Sequence, residues 1–449
     1  MPSDQALLAV LADKLAESVT RPLSVGTPRR VPGPIHLPGK ATAVIGMRRA
    51  GKTTFLHQVR ADRLAIGTPR EHLPYLNFED ERLGGLTAAT LGGLVEDYYR
   101  RVPAARQADT VTWCFDEIQV VPHWERFVRR LLDSEKVDVF LSGSSATLLS
   151  RELATAMRGR AWPIVLHPFS FAEYLDHHRE GVPGNLELPS AADRSRLDAA
   201  LLQYLVIGGF PEAQGLDADA RHRLLADYVD VAILRDVVER HGVTNVAGLR
   251  WMVRQLLGAP AGLFSVEKFC NALKSQGIPI AKDTVHDLLA HLEDCFLIRT
   301  AWVNSSSERR RRVNPRKAYP VDPGLIPVFD RSGKRNLGHA LETAVRIELE
   351  RRGLDASYVR TAEGLEVDFF ARPVSGTPSL IQVCADPSAA DTLQREVRAL
   401  VAASTEHPEA TLELVTLAPE LCRDVPPPIK VVSASTWLLR DCAERDSAR

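Results

Sequence analysis

The 449 residues carry 56 Lys and Arg against 57 Asp and Glu, a net charge of −1, with 45% hydrophobic and 25% charged residues. These are ordinary values for a soluble globular chain of about three domains, and no global basic field marks a nucleic-acid partner, so any such surface must be local. No apolar run approaches the ~18 residues of a membrane span, and Cys114, Cys270, Cys295, Cys384, Cys422 and Cys442 form no C-x-x-C pair, which suits reduced thiols in a cytoplasmic protein.

The N-terminus has no positively charged leader, and Asp13 and Lys14 interrupt Leu7–Leu15, so an amphipathic helix is expected there instead of a signal peptide. Residues 21–40 contain five prolines and three glycines and read as an irregular lead-in. Ala43-Val44-Ile45 then has the look of a buried parallel strand. It runs into Gly46-Met47-Arg48-Arg49-Ala50-Gly51-Lys52-Thr53, which fits G-x-x-x-x-G-K-[ST], and on into a helix. Such a loop curls its N–H groups around phosphate oxygens, with Lys52 reaching the β- and γ-phosphates and Thr53 ligating Mg²⁺. Gly46, Arg48, Arg49, Ala50, Gly51, Lys52, Thr53 and Thr54 are therefore the expected nucleotide contacts, with the following helix adding its dipole.

A helix through about Leu64 is followed by a second strand, Pro74-Tyr-Leu-Asn-Phe-Glu-Asp, and a helical stretch near Leu91–Arg101. The third strand, Thr110-Val-Thr-Trp-Cys-Phe, ends in Asp116-Glu117-Ile-Gln119. An apolar strand ending in Asp-Glu is the partner of a phosphate loop: Asp116 would hold Mg²⁺ through water, and Glu117 would orient and deprotonate the attacking water. ATP or GTP binding follows from the two motifs together. After a helix Trp124–Leu132 comes Val137-Asp-Val-Phe-Leu-Ser142-Gly-Ser144-Ser145, and Ser144, with Ser142 as alternative, is expected at the γ-phosphate or the attacking water; capping the segment Ala146–Met157 is the other role open to it. Arg158 and Arg160 precede a fifth strand, Trp162–Leu166, and either could neutralise phosphoryl charge in its own or a neighbouring subunit. Strand–helix alternation to this point gives a parallel sheet covered on both faces, with the ligand at the carboxyl ends of the strands.

Residues 170–255 read as helical, with a Gly208-Gly-Phe-Pro211-Glu turn and a lid-like stretch, Leu224–Arg240. At this point the motif series becomes specific. The phosphate loop, Asn77-Phe78-Glu79, Phe115-Asp-Glu-Ile-Gln, Ser142-Gly-Ser-Ser, Arg158-Gly-Arg, Pro168-Phe-Ser-Phe-Ala-Glu-Tyr and Gly208-Gly-Phe-Pro-Glu closely resemble, in order, a family of bacterial and archaeal AAA-type ATPases. The resemblance covers nearly the whole chain and implies binding and hydrolysis of ATP with Mg²⁺; AAA relatives often need a neighbour's arginine, so a homo-oligomer, a ring for example, is implied.

Residues 264–303 have helix-turn-helix grammar, and a hairpin with the polar tip Ser305–Arg312 would be the wing of a winged helix. Arg309, Arg310, Arg311 and Arg312 there could follow a DNA backbone independently of base sequence, although Asp283, Asp287, Glu293 and Asp294 burden the recognition helix. From about residue 335 an αβββαβ order resembles the PD-(D/E)xK nuclease superfamily. That resemblance aligns Glu342 and Asp368 with its metal-gathering carboxylates, but Gln382-Val383-Cys384 stands where E-x-K is required, so a degenerate site used for binding is expected. The expected architecture is α/β: lead-in 1–38, P-loop core 39–215, helical lid 216–257, winged helix 258–330 and nuclease-like domain 331–449. The expected function is an ATPase acting on or with DNA, with branched DNA a candidate substrate. The alternatives are a nucleotide-dependent protein-interaction switch in defence or stress, and a metal-dependent nuclease.

Overall fold

The computed structural model describes residues 4–107, 110–143, 157–186, 188–333 and 336–446. Residues up to Leu166 form one compact unit and those from His167 onward a second.

In the first unit, α1 (Asp4–Thr20) buries Leu7, Leu11 and Leu15, one stripe at four-residue spacing, and packs on α3 (Ala88–Arg101). The lead-in then enters β1 (Ala41–Ile45), followed by α2 (Lys52–Ala65), β2 (Tyr75–Asn77), α3, α4 (Pro103–Gln107), β3 (Val111–Asp116), α5 (Trp124–Ser134), β4 (Val137–Gly143) and β5 (Ala161–Val165). All five strands are parallel, in the order β2-β3-β4-β1-β5. β1 and β3 are buried at every residue, which is why their sequences are mostly apolar, broken by Thr42, Thr112 and the terminal Asp116 and without a regular polar alternation. Val44, Phe55, Leu56, Val59, Cys114, Phe140 and Leu166 form a core between α2 and the sheet. β2 is shorter than its sequence suggests, because Asn77 Oδ1 accepts the Glu79 N–H at 2.8 Å and turns the chain out of the sheet. This is the α/β arrangement of a P-loop nucleoside triphosphatase, with the carboxyl ends of β1, β3 and β4 at one edge.

The second unit begins with helices Phe171–His177, Ala191–Ile207, Ala218–Val231 and Val246–Gly258, the third continuing as a π-helix over Ala232–Glu239. Two motifs of the family resemblance meet here. Ser170 and Glu173 form a capping box, and the Phe169 N–H donates to the Gly209 carbonyl at 2.6 Å. A Cβ at Gly209 would lie 2.2 Å from the Phe169 carbonyl oxygen, so only glycine allows that approach. Asp322 closes the turn, accepting the Gly209 N–H at 2.6 Å and the Gly324 N–H at 2.9 Å. In this unit both motifs act as packing determinants.

Helices Val266–Ser275 and Lys282–Asp294 follow, with an antiparallel sheet of β6 (Leu263–Phe264), β7 (Ile298–Ala301) and β8 (Arg316–Pro320) in the order β6-β8-β7. The connection between β7 and β8 is not the extended hairpin tip that the sequence suggests. It forms a helical turn, Glu308–Val313, because Ser307 Oγ accepts the Arg310 N–H and caps a run of helix-favouring arginines. Helix Leu337–Arg351 leads into β9 (Asp355–Arg360), β10 (Glu366–Arg372), β11 (Ser379–Cys384), helix Ala390–Glu406, β12 (Thr411–Thr416), β13 (Lys430–Ser433) and helix Ala434–Asp446. Its sheet runs β13-β12-β11-β10-β9, parallel from β11 to β13 and antiparallel from β9 to β11. Among the described residues no helix is long and apolar enough to cross a membrane.

Candidate functional site

The phosphate loop starts where β1 ends. Gly46 has φ 148°, and a Cβ there would stand 2.1 Å from the Leu166 carbonyl oxygen, so β1 and β5 can sit side by side only over a glycine. Gly51, in left-handed conformation, opens α2. Lys52 is 6% exposed and donates to the Gly46 and Met47 carbonyls at 3.0 Å each, which lays its ammonium across the loop. The lead-in fixes the loop from outside: Arg29 donates to the Ala50 carbonyl at 2.6 Å, and Gln58 on α2 donates to the Thr27 carbonyl at 2.7 Å. Arg48 approaches Glu79, beyond β2, at 3.8 Å.

Opposite the loop, the last residue of β3 is the fully buried Asp116. Its Oδ2 accepts from Thr53 Oγ1 at 2.8 Å, Tyr75 Oη at 2.8 Å and Asn77 Nδ2 at 3.4 Å, and its Oδ1 accepts from Ser142 Oγ. All four donors are neutral, and among the described residues no ammonium or guanidinium pairs with this carboxylate. A buried carboxylate touching the hydroxyl that follows the loop lysine is a donor set that fits Mg²⁺. Burial and the Asp116 charge push the Tyr75 phenol far above its ordinary range, so Tyr75 remains a donor. Glu117 has φ 54°, an unfavourable conformation for a side chain, held by its N–H to Ser142 Oγ at 3.3 Å and by the Gln119 amide on its carboxylate.

The register locates the remaining expected residues. Thr54 belongs to the first turn of α2, beside the loop, whereas Ser144 lies outside the described residues, and Ser142 is the hydroxyl found on Asp116. Arg158 and Arg160 are at the other edge of the sheet: the Ala41 N–H, at the start of β1, donates to the Arg160 carbonyl at 2.8 Å. Five residues of strand separate that edge from Gly46, roughly 16 Å. A finger role within one chain is therefore corrected, since neither arginine reaches the loop it follows; Arg160 instead pairs with Asp133 on α5. Both arginines line a cavity of about 440 Å³ with Arg126, Arg129 and Arg130.

Residues 38–175 match a family model described as an AAA domain. An uncharacterised protein of Methanocaldococcus jannaschii is 32% identical over 368 residues, 81% of this chain and 78% of the relative. The chain belongs to the AAA-type ATPase family. A second uncharacterised relative, from Haemophilus influenzae, is 30% identical over 330 residues, covering 73% and 78% of the two chains. Among solved structures, the Walker-type ATPase of Pyrococcus abyssi aligns with 71% of this AAA-family chain and 94% of its own, at 15% identity and a TM-score of 0.40. Residues 198–334 match a domain of unknown function.

The second unit of this AAA-family chain contains a separate charged cluster. Glu342, Asp368 and Gln382, expected as a degenerate nuclease-like site, do converge, and Glu366 and Glu396 join them around a cavity of about 520 Å³. The Asp368 N–H donates to Gln382 Oε1 at 3.3 Å, and Gln382 Nε2 donates to Glu396 at 2.6 Å. The residue that sequence reasoning missed is Lys317 on β8. Its ammonium stands 2.8 Å from Asp368, 2.8 Å from Glu366 and 3.1 Å from Glu342, with the lysine only 2% exposed. Burial alone would lower its pKa, but Asp368, Tyr319, Glu342 and Glu366 outweigh burial and hold it well above the lysine range. Burial and Asp368 push the Glu342 carboxyl upward. The sequence did contain one signal: Lys317 and Tyr319 alternate on one face of a buried strand, and the Tyr319 hydroxyl also donates to Glu342, at 2.9 Å.

The expected basic segment is present, with Arg309, Arg310 and Arg312 exposed on the helical turn. Arg316 lies 3.6 Å over the Trp302 ring and Arg311 5.8 Å from its centroid. Of the four acids on helix Lys282–Asp294, Glu293 is committed inward, accepting the Thr300 N–H at 3.1 Å and hydroxyl at 2.6 Å.

Proposed function

We propose that this AAA-family protein binds and hydrolyses ATP with Mg²⁺ and uses the cycle in association with DNA. The observation that carries the ATPase reading is the 2.8 Å contact of Thr53 with the buried Asp116, beside a loop lined by Lys52. Bound Mg²⁺ would supply charge neutralisation on the β- and γ-phosphates, held by Thr53 and Asp116. Lys52 exchanges its two carbonyl partners for phosphate oxygens, and the loop's N–H groups orient the triphosphate. Glu117 accepts the proton of the attacking water, and Ser142 and Gln119 fix the strand end that carries it. Arg158 and Arg160 are assigned to a neighbouring copy's nucleotide, which requires a homo-oligomer.

ATP turnover is the test. Lys52→Ala abolishes it, and Glu117→Gln retains ATP binding while turnover falls at least ~100-fold; a Glu117→Gln protein hydrolysing at the parent rate removes Glu117 from this role.

For DNA, the support is local. We read the helix pair and β6-β8-β7 as a winged helix and the last sheet as a nuclease-like binding domain, giving the five segments expected from the sequence. The exposed arginine turn beside the Trp302–Arg316 stack offers guanidinium groups to phosphates and an aromatic face. A protein-interaction switch is the second reading, favoured by the exposed Asp283 and Asp287 on the helix that would enter a groove.

A further inference from the structure

The nuclease-like reading of the last sheet implies a divalent cation at Glu342 and Asp368, and the side chains present do not fit one. Lys317 has three ammonium protons, and three carboxylate oxygens, one each from Glu342, Glu366 and Asp368, stand within 3.1 Å of it. Mg²⁺ bound by those oxygens at its usual ~2.0–2.1 Å would sit against the ammonium, cation on cation. The other oxygen of Asp368 is also taken, by the Val383 N–H at 3.0 Å. Gln382, in the place of the missing carboxylate, turns its carbonyl oxygen to the Asp368 N–H and its amide to Glu396, so it offers no oxygen to the cavity. Among the described residues no group of three or more His, Cys, Asp or Glu has the arrangement of a metal site.

We propose that Lys317 is the resident cation of this site: its ammonium takes the place of a divalent metal, and the carboxylates serve to hold β8 against the C-terminal sheet. The same strand begins three residues after the arginine-bearing turn, so the ion cluster also fixes where that turn emerges from the fold. Tyr319, on the same face, adds a second tie to Glu342. A buried lysine surrounded by three carboxylates is costly to break from either side, because removing the ammonium leaves the largely buried Glu342 and Asp368 carboxylates uncompensated. This inference is independent of the ATPase reading, since no residue of the phosphate loop enters it.

Calorimetric titration of the full-length, nucleotide-free protein with Mn²⁺ tests it, compared with Asp368→Asn, Lys317→Met and Lys317→Met/Asp368→Asn. The parent protein is expected to show no Mn²⁺ heat that Asp368→Asn removes. Lys317→Met is expected to gain one site, with a melting temperature raised by roughly 2–4 °C or more in saturating Mn²⁺, and the double variant to lose it. A Lys317→Met chain that folds only when Mn²⁺ is added meets the same expectation. The proposal is overturned if the parent binds Mn²⁺ through Asp368, if folded Lys317→Met binds none, or if an unfolded Lys317→Met is not rescued by Mn²⁺.

Discussion

Tyr75 shows how a residue without a sequence motif enters the candidate site. It sits on β2, one strand away from Asp116, and the parallel register that sets Asn77 against Asp116 brings its hydroxyl to the same carboxylate oxygen that Thr53 reaches. Three donors converging on one oxygen fix the carboxylate plane, as a second layer of hydrogen bonds does around metal ligands. Tyr75→Phe keeps the ring and removes the hydroxyl. The Mg²⁺ concentration needed for half-maximal ATP turnover is expected to rise about tenfold, while nucleotide affinity measured without Mg²⁺ stays within about twofold; an unchanged Mg²⁺ dependence would assign Tyr75 to packing alone. At this scale the loop and the Asp-Glu pair were legible in the sequence, because their spacing is dictated by phosphate chemistry. Tyr75 and Lys317 were not, because their partners lie 41 and 25–51 residues away in the chain.

Among the elements, the Gly208-Gly209 turn carries a charge that the fold makes expensive. Asp322 is fully buried, and burial pushes its carboxyl up to about 7, against the opposing pull of the Gly209 and Gly324 N–H groups and Arg351. A carboxyl whose folded pKa lies above its unfolded value of 3.8 favours the folded state most below that value. Its contribution therefore declines as pH rises from about 4 to about 7 and is constant above. Chemical denaturation across that window should show the decline, and Asp322→Asn should flatten it. An identical slope in the variant would mean that another group is responsible. Gly209→Ala, which drives a methyl group into the Phe169 backbone, is expected to cost at least ~1–3 kcal/mol. Two helices either side of the Gly277-Ile-Pro279 turn, and a helix followed by strands after residue 335, were readable from local sequence. The conversion of the expected hairpin tip into a helical turn was not, because Ser307 acts as a cap only once β7 and β8 fix where the segment must start and stop.

For the whole molecule, a net charge of −1 means that any DNA affinity rests on local surfaces. Replacing Arg309, Arg310, Arg311 and Arg312 together with Gln is expected to weaken duplex binding uniformly across sequences. The slope of log K against log salt should become shallower by about 3–4, near 0.9 for each phosphate no longer neutralised. A parent protein whose ATP turnover ignores single-stranded, duplex and junction DNA, and which co-purifies with a nuclease-resistant protein, would favour the interaction-switch reading. The sequence by itself determined the phosphate loop, its acidic partner strand and the α/β class, because periodicity, glycine placement and the reach of Lys and Asp are properties of short segments. Only the tertiary structure decided that Arg158 and Arg160 stand at the far edge of the sheet, that the Gly-Gly turn closes on Asp322, and that Lys317 fills the carboxylate cluster. Each of these depends on strand register or on residues distant in the chain, and register is fixed by the packing of whole sheets.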